Sequence, residues 1–324
     1  MKKITAVILA ALMLCAVFAG CGAEPGAAGG DGATALSMAT GGTSGTYYGF
    51  SGVIAQVLNE KLSGSLNITV ESTGASKANI QMIGGGECQL AIVQNDVMAY
   101  AYTATDMFEG EEAVSNFSAV AACYPEQVQI IANSSITSIE DLKGKKVSVG
   151  DAGSGVEFNA RQILAAYGIT FDDIVINNQS FADSADSLKN GTIDAAFVVA
   201  GAPTTAVTEL ASSFSFNILS IDDEHIAALQ EDYAFYTKAT IPADDYSVLK
   251  EDVQTVAVMA TIVASNDVSE DTVYEFTKAL FENKAEIAAG HTKGGLLDTA
   301  TAVSGISIPF HPGAEKYYAE VGAM

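Results

Sequence analysis

Positive charge is scarce in this chain. Its 324 residues carry 15 Lys plus Arg against 39 Asp plus Glu, a formal net charge of -24. Nucleic-acid binding needs clustered cations on one face, so so acidic a chain is not expected to have a nucleic-acid partner. Arginine is scarcest of all, with Arg161 the sole example. A guanidinium fork on a carboxylate would have to come from that one side chain. Arg161 lies four residues after Glu157 on a helix-patterned stretch, the spacing of a surface ion pair, and that role is expected of it. Lys77, beside another candidate loop, is expected to be solvated. Histidine is limited to His225, His291 and His311, scattered along the chain, and no CxxC pair exists, so a structural zinc site is not expected. Of four cysteines, Cys15 and Cys21 lie at the amino terminus. Cys88 and Cys123 sit in apolar runs and read as buried thiols, although an oxidising compartment also permits a disulfide. After the amino terminus no apolar run reaches the roughly 20 residues of a membrane-spanning helix. GxSxG and GxxxxGK[ST] are both missing, which removes the serine-elbow and phosphate-loop signatures and any expectation of a nucleotide cofactor.

The amino terminus has what the rest lacks. Lys2 and Lys3 precede an apolar run from Ile4 to Phe18 that ends in Ala19-Gly20-Cys21. A positive head, a short apolar middle and a small-residue end make a secretory signal peptide over residues 1–20. The ending resembles a bacterial lipobox, which implies cleavage before Cys21 and lipidation of its sulfur. Residues 21–33, rich in Gly and Ala, read as a flexible tether. The chain is therefore expected outside the cytoplasm and lipid-anchored, on the periplasmic or cell-surface side.

The remainder repeats one unit of strand, small polar loop and helix. Leu36–Thr40 reads as a strand, and Gly41-Gly42-Thr43-Ser44-Gly45-Thr46 as a loop. Tyr47–Leu62 follows, with Phe50, Val53, Ile54, Val57 and Leu58 at helical spacing. Ser65–Glu71, the loop Ser72-Thr73-Gly74-Ala75-Ser76 and a helix over 77–84 repeat the pattern. Gln89–Val93 is a buried strand ending at Gln94-Asn95-Asp96, where Asp96 is either a helix cap or a ligand contact. Phe117–Cys123 and Val128–Ala132 are two apolar runs separated by Tyr124-Pro125-Glu126. Ser138, Asp141 and Gly144 fit the start and stop of a helix. Val147–Val149 is a strand, Asp151-Ala152-Gly153-Ser154-Gly155 a third polar loop, and Val156–Tyr167 a helix closed by Gly168. A helix ends at 187–191, Ile193–Ala200 is a buried strand, and Gly201-Ala202-Pro203 opens a further helix. Alternation of this kind indicates an α/β fold with largely parallel sheets, in which ligands bind where strand ends meet helix starts.

These motifs together resemble the TAXI group of extracytoplasmic receptors of tripartite ATP-independent periplasmic (TRAP) transporters. The resemblance rests on Thr40–Tyr48, Glu71–Ser76, Leu90–Val97, Tyr124-Pro125-Glu126, Asp141–Lys145, and Gly153-Ser154-Gly155 followed by Glu157. It continues in Ile241-Pro242-Ala243, Val273-Tyr274 and Ile308–Ala314, and so covers the chain from about Leu36 onward. It implies a type II periplasmic-binding-protein fold, with two α/β lobes that are open when empty and close on a ligand. Lobe one would be 34–122 plus 264–324 and lobe two 123–263, with residues 219–253 free to pack on either.

The resemblance also implies a ligand, a partner and a site. The ligand would be a small carboxylate of the glutamate, glutamine or 2-oxoglutarate class, and the partner an ion-gradient-driven integral-membrane permease with fused subunits. Around the cleft it would place Thr43, Ser44, Thr46, Tyr47, Ser72, Thr73, Gly74, Ser76, Asn95, Tyr124, Gly153, Ser154, Gly155, Val156, Gly201 and Pro203. Val156 stands where the family often has Thr, which removes one hydroxyl. Hydroxyls and backbone N–H groups would hold the carboxylate, and no metal or cofactor is expected. Two alternatives remain open at this point: a periplasmic ligand sensor and a secreted hydrolase. His311, in His-Pro-Gly, is expected to be a structural cap.

Overall fold

Strands and helices alternate through both parts of the chain in the computed structural model, which describes residues 33–324. Expectations for the leader, Cys21 and nearly all of the tether fall outside the described residues. The first part runs β1 (Thr34–Ala39), α1 (Thr46–Lys61), β2 (Leu66–Glu71), α2 (Ser76–Gly84), β3 (Leu90–Gln94) and α3 (Asn95–Thr103). Strand β4 (Phe117–Asn133) leads to β5 (Lys146–Ser148), α4 (Gly155–Ala166), β6 (Val175–Asn177), α5 (Phe181–Lys189) and β7 (Ala195–Ala200). Then come α6 (Thr205–Ala211), β8 (Phe216–Leu219), α7 (Asp223–Asp232) and β9 (Thr237–Ile241). Strand β10 (Val253–Ser265) returns the chain to α8 (Glu270–Glu282), α9 (Lys284–Gly290), α10 (Thr299–Ala302) and α11 (Pro312–Glu320).

The strands join in the order β2-β1-β3-β10-β4-β7-β5-β6, with β8 on β4 and β9 on β10. Pairing is parallel within β2-β1-β3 and within β7-β5-β6. The long strands β4 and β10 are antiparallel to each other and to the sheets on either side. The expectation of largely parallel sheets therefore holds within each end and fails at the centre, where the chain crosses and comes back. Tyr124-Pro125-Glu126 does not separate two runs; it lies inside β4. Pro125 has no N–H for a ladder, and the β4–β10 register shifts nearby, between Ala260 and Thr261.

Hydrophobic burial divides at these two strands. Leu36, Phe50, Ile54, Leu58, Ile92, Phe276 and Leu280 pack together at one end. Val128, Ile163, Leu164, Phe197 and Val256 pack together at the other. Along β10, Val256 and Val258 belong to the second core, whereas Ala260 and Ile262 belong to the first. The change of core thus falls before the 263/264 limit drawn from the sequence. Residues 219–253 go with the second core, through Ile221, Ile226, Leu229 and Tyr236 there and Ile241 and Tyr246 in an adjoining cluster.

Two local expectations need correction. Around Ser138–Gly144 only the single 3-10 turn Glu140–Leu142 forms. The Asp141 carboxylate accepts from the Thr137 and Ser138 amides, which fixes a turn in place of a longer helix. Pro203 precedes a helix without starting it; Thr204 holds the N-cap position without a side-chain bond, and α6 begins at Thr205. His311 caps α11 as expected, its Nδ1 accepting from the Gly313 amide.

Candidate functional site

Four helices begin at one cavity between the two cores. Their first residues, Thr46, Ser76, Gly155 and Phe181, all line it. Ser44, Tyr47, Gln94, Glu126, Asp151, Ser154, Val156 and Ser180 complete most of its wall. The cavity volume is about 40 Å³. Helix starts present backbone N–H groups and the positive end of the helix dipole. Ser154 and Ser180 cap their own helices, accepting from the Glu157 and Asp183 amides. Gly45 and Ala75, ahead of α1 and α2, supply no side-chain cap. Those two ends therefore keep donors for an anion. Ala75 sits at φ 68°, ψ -151°, a region nearly reserved for glycine, at a cost of about 1–3 kcal/mol.

The two sides meet directly across the cavity. Thr46 Oγ1 donates to the Gly201 carbonyl at 2.9 Å, and the Ala206 amide to the Ser44 carbonyl at 3.3 Å. Below them runs a buried polar chain. Gln94 Nε2 donates to Asn159 Oδ1 at 2.9 Å, and Asn159 Nδ2 donates to Asp96 Oδ2 and to the Tyr236 hydroxyl, each at 2.9 Å. The Tyr236 hydroxyl in turn donates to Gln162 Oε1 at 2.6 Å. Asp96 is thus neither the cap of α3, a position held by Gln94, nor part of the cavity wall; it anchors one side to the other. Burial pushes its carboxyl up to about 6 against the opposing pull of the Asn159 bond.

Glu126 is the acidic centre of the wall. It projects from mid-β4, is 2% exposed, and accepts from the Tyr47 hydroxyl at 2.6 Å. Burial holds its carboxyl well above the usual carboxylate range, and the Tyr47 bond only partly offsets this. The same burial, with Glu126 beside it, raises the Tyr47 phenol. Asp151 is also shifted upward, by burial and then by Asp183. Among the described residues, no Lys, Arg or His lines the cavity.

The residues singled out from the sequence divide by location. Ser44, Thr46, Tyr47, Ser76, Ser154, Gly155 and Val156 line the cavity. Gly201 touches it only through its carbonyl bond to Thr46. Thr43, Gly74 and Pro203 are exposed and Gly153 lies on an outer groove with Lys77 and Arg161. Ser72 and Thr73 brace their own loop, donating to the Gly41 carbonyl and to Asn79 Oδ1. Asn95 is tied to the Met259 amide and the Gly305 carbonyl. The Tyr124 ring packs edge-on against Phe50, with its hydroxyl buried and unpartnered. Glu126, Asp151, Ser180 and Phe181 were not foreseen. An acidic residue inside a strand-like apolar run was the available signal for Glu126.

Arg161 does not pair with Glu157. Glu157 accepts from the Gly153 amide at 2.6 Å, and the guanidinium lies 4.0 Å over the Phe171 ring, away from the cavity. Lys77 is not simply solvated either. It pairs with Glu111 at 2.6 Å and donates to the Met107 carbonyl.

A family model described as the NMT1-like family matches residues 38–322. The chain belongs to the NMT1-like family. Among solved structures, this NMT1-like chain is similar to a protein from Bordetella bronchiseptica RB50. The two are 16% identical with a TM-score of 0.51, over 89% of this chain and 81% of that one. It is also similar to the GluR0 ligand-binding core from Nostoc punctiforme in complex with L-glutamate. There the identity is 15% and the TM-score 0.50, over 80% of this chain and 98% of that one. The NMT1-like chain has the type II periplasmic-binding-protein fold, α/β at both ends with the cavity between.

Proposed function

We propose that the chain is an extracytoplasmic solute-binding receptor of the TAXI type. It captures a small carboxylate in the cavity and passes it to an ion-gradient-driven TRAP permease. The two core-bearing ends act as lobes, divided where β4 and β10 pass from one core to the other, closing on the solute. A lipid on Cys21 holds the receptor at the membrane. The observation that carries the reading is the meeting of four helix starts, two without side-chain caps, on a cavity whose wall, among the described residues, has no cationic side chain. Each helix end favours a nearby anion by typically about 0.3–1 kcal/mol, more when partly buried. Several together offset the loss of water around one carboxylate.

Binding in place of catalysis is supported by the wall itself. Ser44, Ser76, Ser154 and Ser180 have no histidine beside them in the cavity, and a serine nucleophile needs a base within hydrogen-bond reach.

A thermal-shift screen over amino acids, keto acids and dicarboxylates tests the proposal. A bound solute stabilises the protein by RT ln(1 + [L]/Kd), roughly 2.7 kcal/mol at a hundredfold excess over Kd. The absence of any hit among small organic acids would remove it. Intact mass of the native protein tests the anchor separately: a mature chain that starts anywhere other than a lipidated Cys21 refutes that part.

A further inference from the structure

We infer that Glu126, Gln94 Oε1 and Asp151 form a subsite for a protonated amine. The captured solute is then a small zwitterion bearing both an ammonium and a carboxylate. This rests on the receptor reading and narrows it.

Gln94 provides the decisive geometry. Its side chain is 2% exposed and lines the cavity, yet Oε1 has no hydrogen-bond partner. Its orientation is fixed from below. The Tyr236 hydroxyl donates its one hydrogen to Gln162, so it accepts from Asn159 Nδ2. Asn159 therefore turns Oδ1 toward Gln94, which must answer with Nε2. The carbonyl oxygen is left at the cavity, packed over the start of α4, where a Cβ added to Gly155 would sit 1.7 Å from it. A buried acceptor without a donor is costly, so it points to a ligand that donates.

Glu126 repeats the argument with an acid whose ionised form a bound cation would stabilise. Tyr47 supplies it one bond. Among the described residues no cation compensates it: burial and then Asp96 push its carboxyl up, and only the Tyr47 bond pulls the other way. Lys293, a buried cation whose Nζ lies 6.0 Å from the centre of the Tyr124 ring, gives its ammonium to the Ala202 carbonyl. Asp151 adds a third acceptor to the same wall. An ammonium offers three donors and a positive charge, matching three acceptors and an uncompensated acid. The solute's carboxylate then faces the uncapped starts of α1 and α2. A keto acid of the same shape brings only an acceptor to where these acceptors already lie, and a hydroxy acid brings a single donor without charge. A site built to bond a donor discriminates strongly against an analogue without it.

Calorimetry on the full-length protein at neutral pH tests this with matched probes: L-alanine against pyruvate and lactate, and L-glutamate against 2-oxoglutarate. The amino member of at least one pair is expected to bind on the order of a hundredfold more tightly, or better, than its partner. Glu126→Gln, which keeps shape and removes charge, is expected to weaken that amino acid at least tenfold without lowering the melting temperature of the unliganded protein. Asp151→Asn is the second variant, should Glu126→Gln not fold, and is expected to weaken the same ligand. Keto acids binding as tightly as amino acids would overturn the amine subsite and leave the receptor reading intact. Wild-type affinity in Glu126→Gln, or in Asp151→Asn where that variant has to serve, would overturn it equally. Failure of every probe to bind would overturn both.

Discussion

Gly155→Ala is expected to hold the cavity open. Gly155 is the first residue of α4, and an added Cβ would lie 1.7 Å from Gln94 Oε1 and 3.0 Å from Val97 Cγ2, both on the opposite side. Gln94 must then give up its place on Asn159, or the two sides must part. The Gln94–Asn159 bond is a buried neutral one, worth about 0.5–1.5 kcal/mol. Displacing Asn159 also loosens its bond to Asp96, of the charged class at about 1.5–3 kcal/mol when Asp96 is ionised. A loss of at least about 2 kcal/mol from the closed form follows, which weakens a closure-dependent ligand about thirtyfold. The helix itself gains, since alanine is the better helix former by up to about 1 kcal/mol. The helix gain offsets only part of that loss, so the variant should melt somewhat below the parent without ligand and also bind poorly. Calorimetry paired with small-angle scattering measures both halves of this. A variant that binds within twofold of the parent, or whose ligand produces the same compaction, would refute the wedge argument.

Three further outcomes are expected. Asp96 has a folded-state pKa of about 6, above its ordinary 3.8, so the folded protein holds the proton more tightly than the unfolded chain. Stability attributable to Asp96 therefore grows as pH falls from about 6 toward 4, is lost as pH rises back through 6, and is flat above. The two-unit shift corresponds to about 3 kcal/mol. Subtracting the urea stability of Asp96→Asn from that of the parent across pH 4–7 isolates the term, and a flat difference contradicts it. Arg161→Lys should leave ligand affinity unchanged and cost at most about 1 kcal/mol of stability through the lost stacking on Phe171; a collapse of binding in a folded variant would return Arg161 to the site. Burial pushes the Cys88 and Cys123 thiols up to about 11 and about 12. Both should therefore resist a thiol reagent at pH 8 in the native protein and react after unfolding, whereas a disulfide would yield no labelling in either state.

The parts of the site that arise from local chain geometry were legible in the sequence. A strand, a Gly/Ser/Thr loop and an amphipathic stretch in succession specify a helix start at a strand end, and Thr46, Ser76 and Gly155 all arrive at the cavity this way. Loop composition alone could not say which hydroxyls face inward. Ser72 and Thr73 spend theirs on their own loop, and only the register of Ser76 on α2 turns it toward Tyr47 and Gln94. Glu126 escaped because its meaning depends on two strands crossing the molecule side by side, and Tyr124-Pro125-Glu126 reads locally as an interruption. Arg161 and Glu157 had the spacing of a pair, but helix spacing supplies only opportunity. The Gly153 amide at the start of α4 and the Phe171 ring offered each a better partner. Asp96 could not be resolved for the same reason: its partner Asn159 is 63 residues away and on the other side of the cavity.

The central claim is that the cavity between the two cores is where the solute is held. A crystal structure of the protein grown with the strongest hit of the thermal-shift screen tests it most directly. The account predicts the ligand enclosed between Tyr47, Glu126 and Ser154, its carboxylate on the amides that open α1 and α2 and its amine on Glu126 and Gln94. Ligand density in another groove, with this cavity left as it is, would contradict the account.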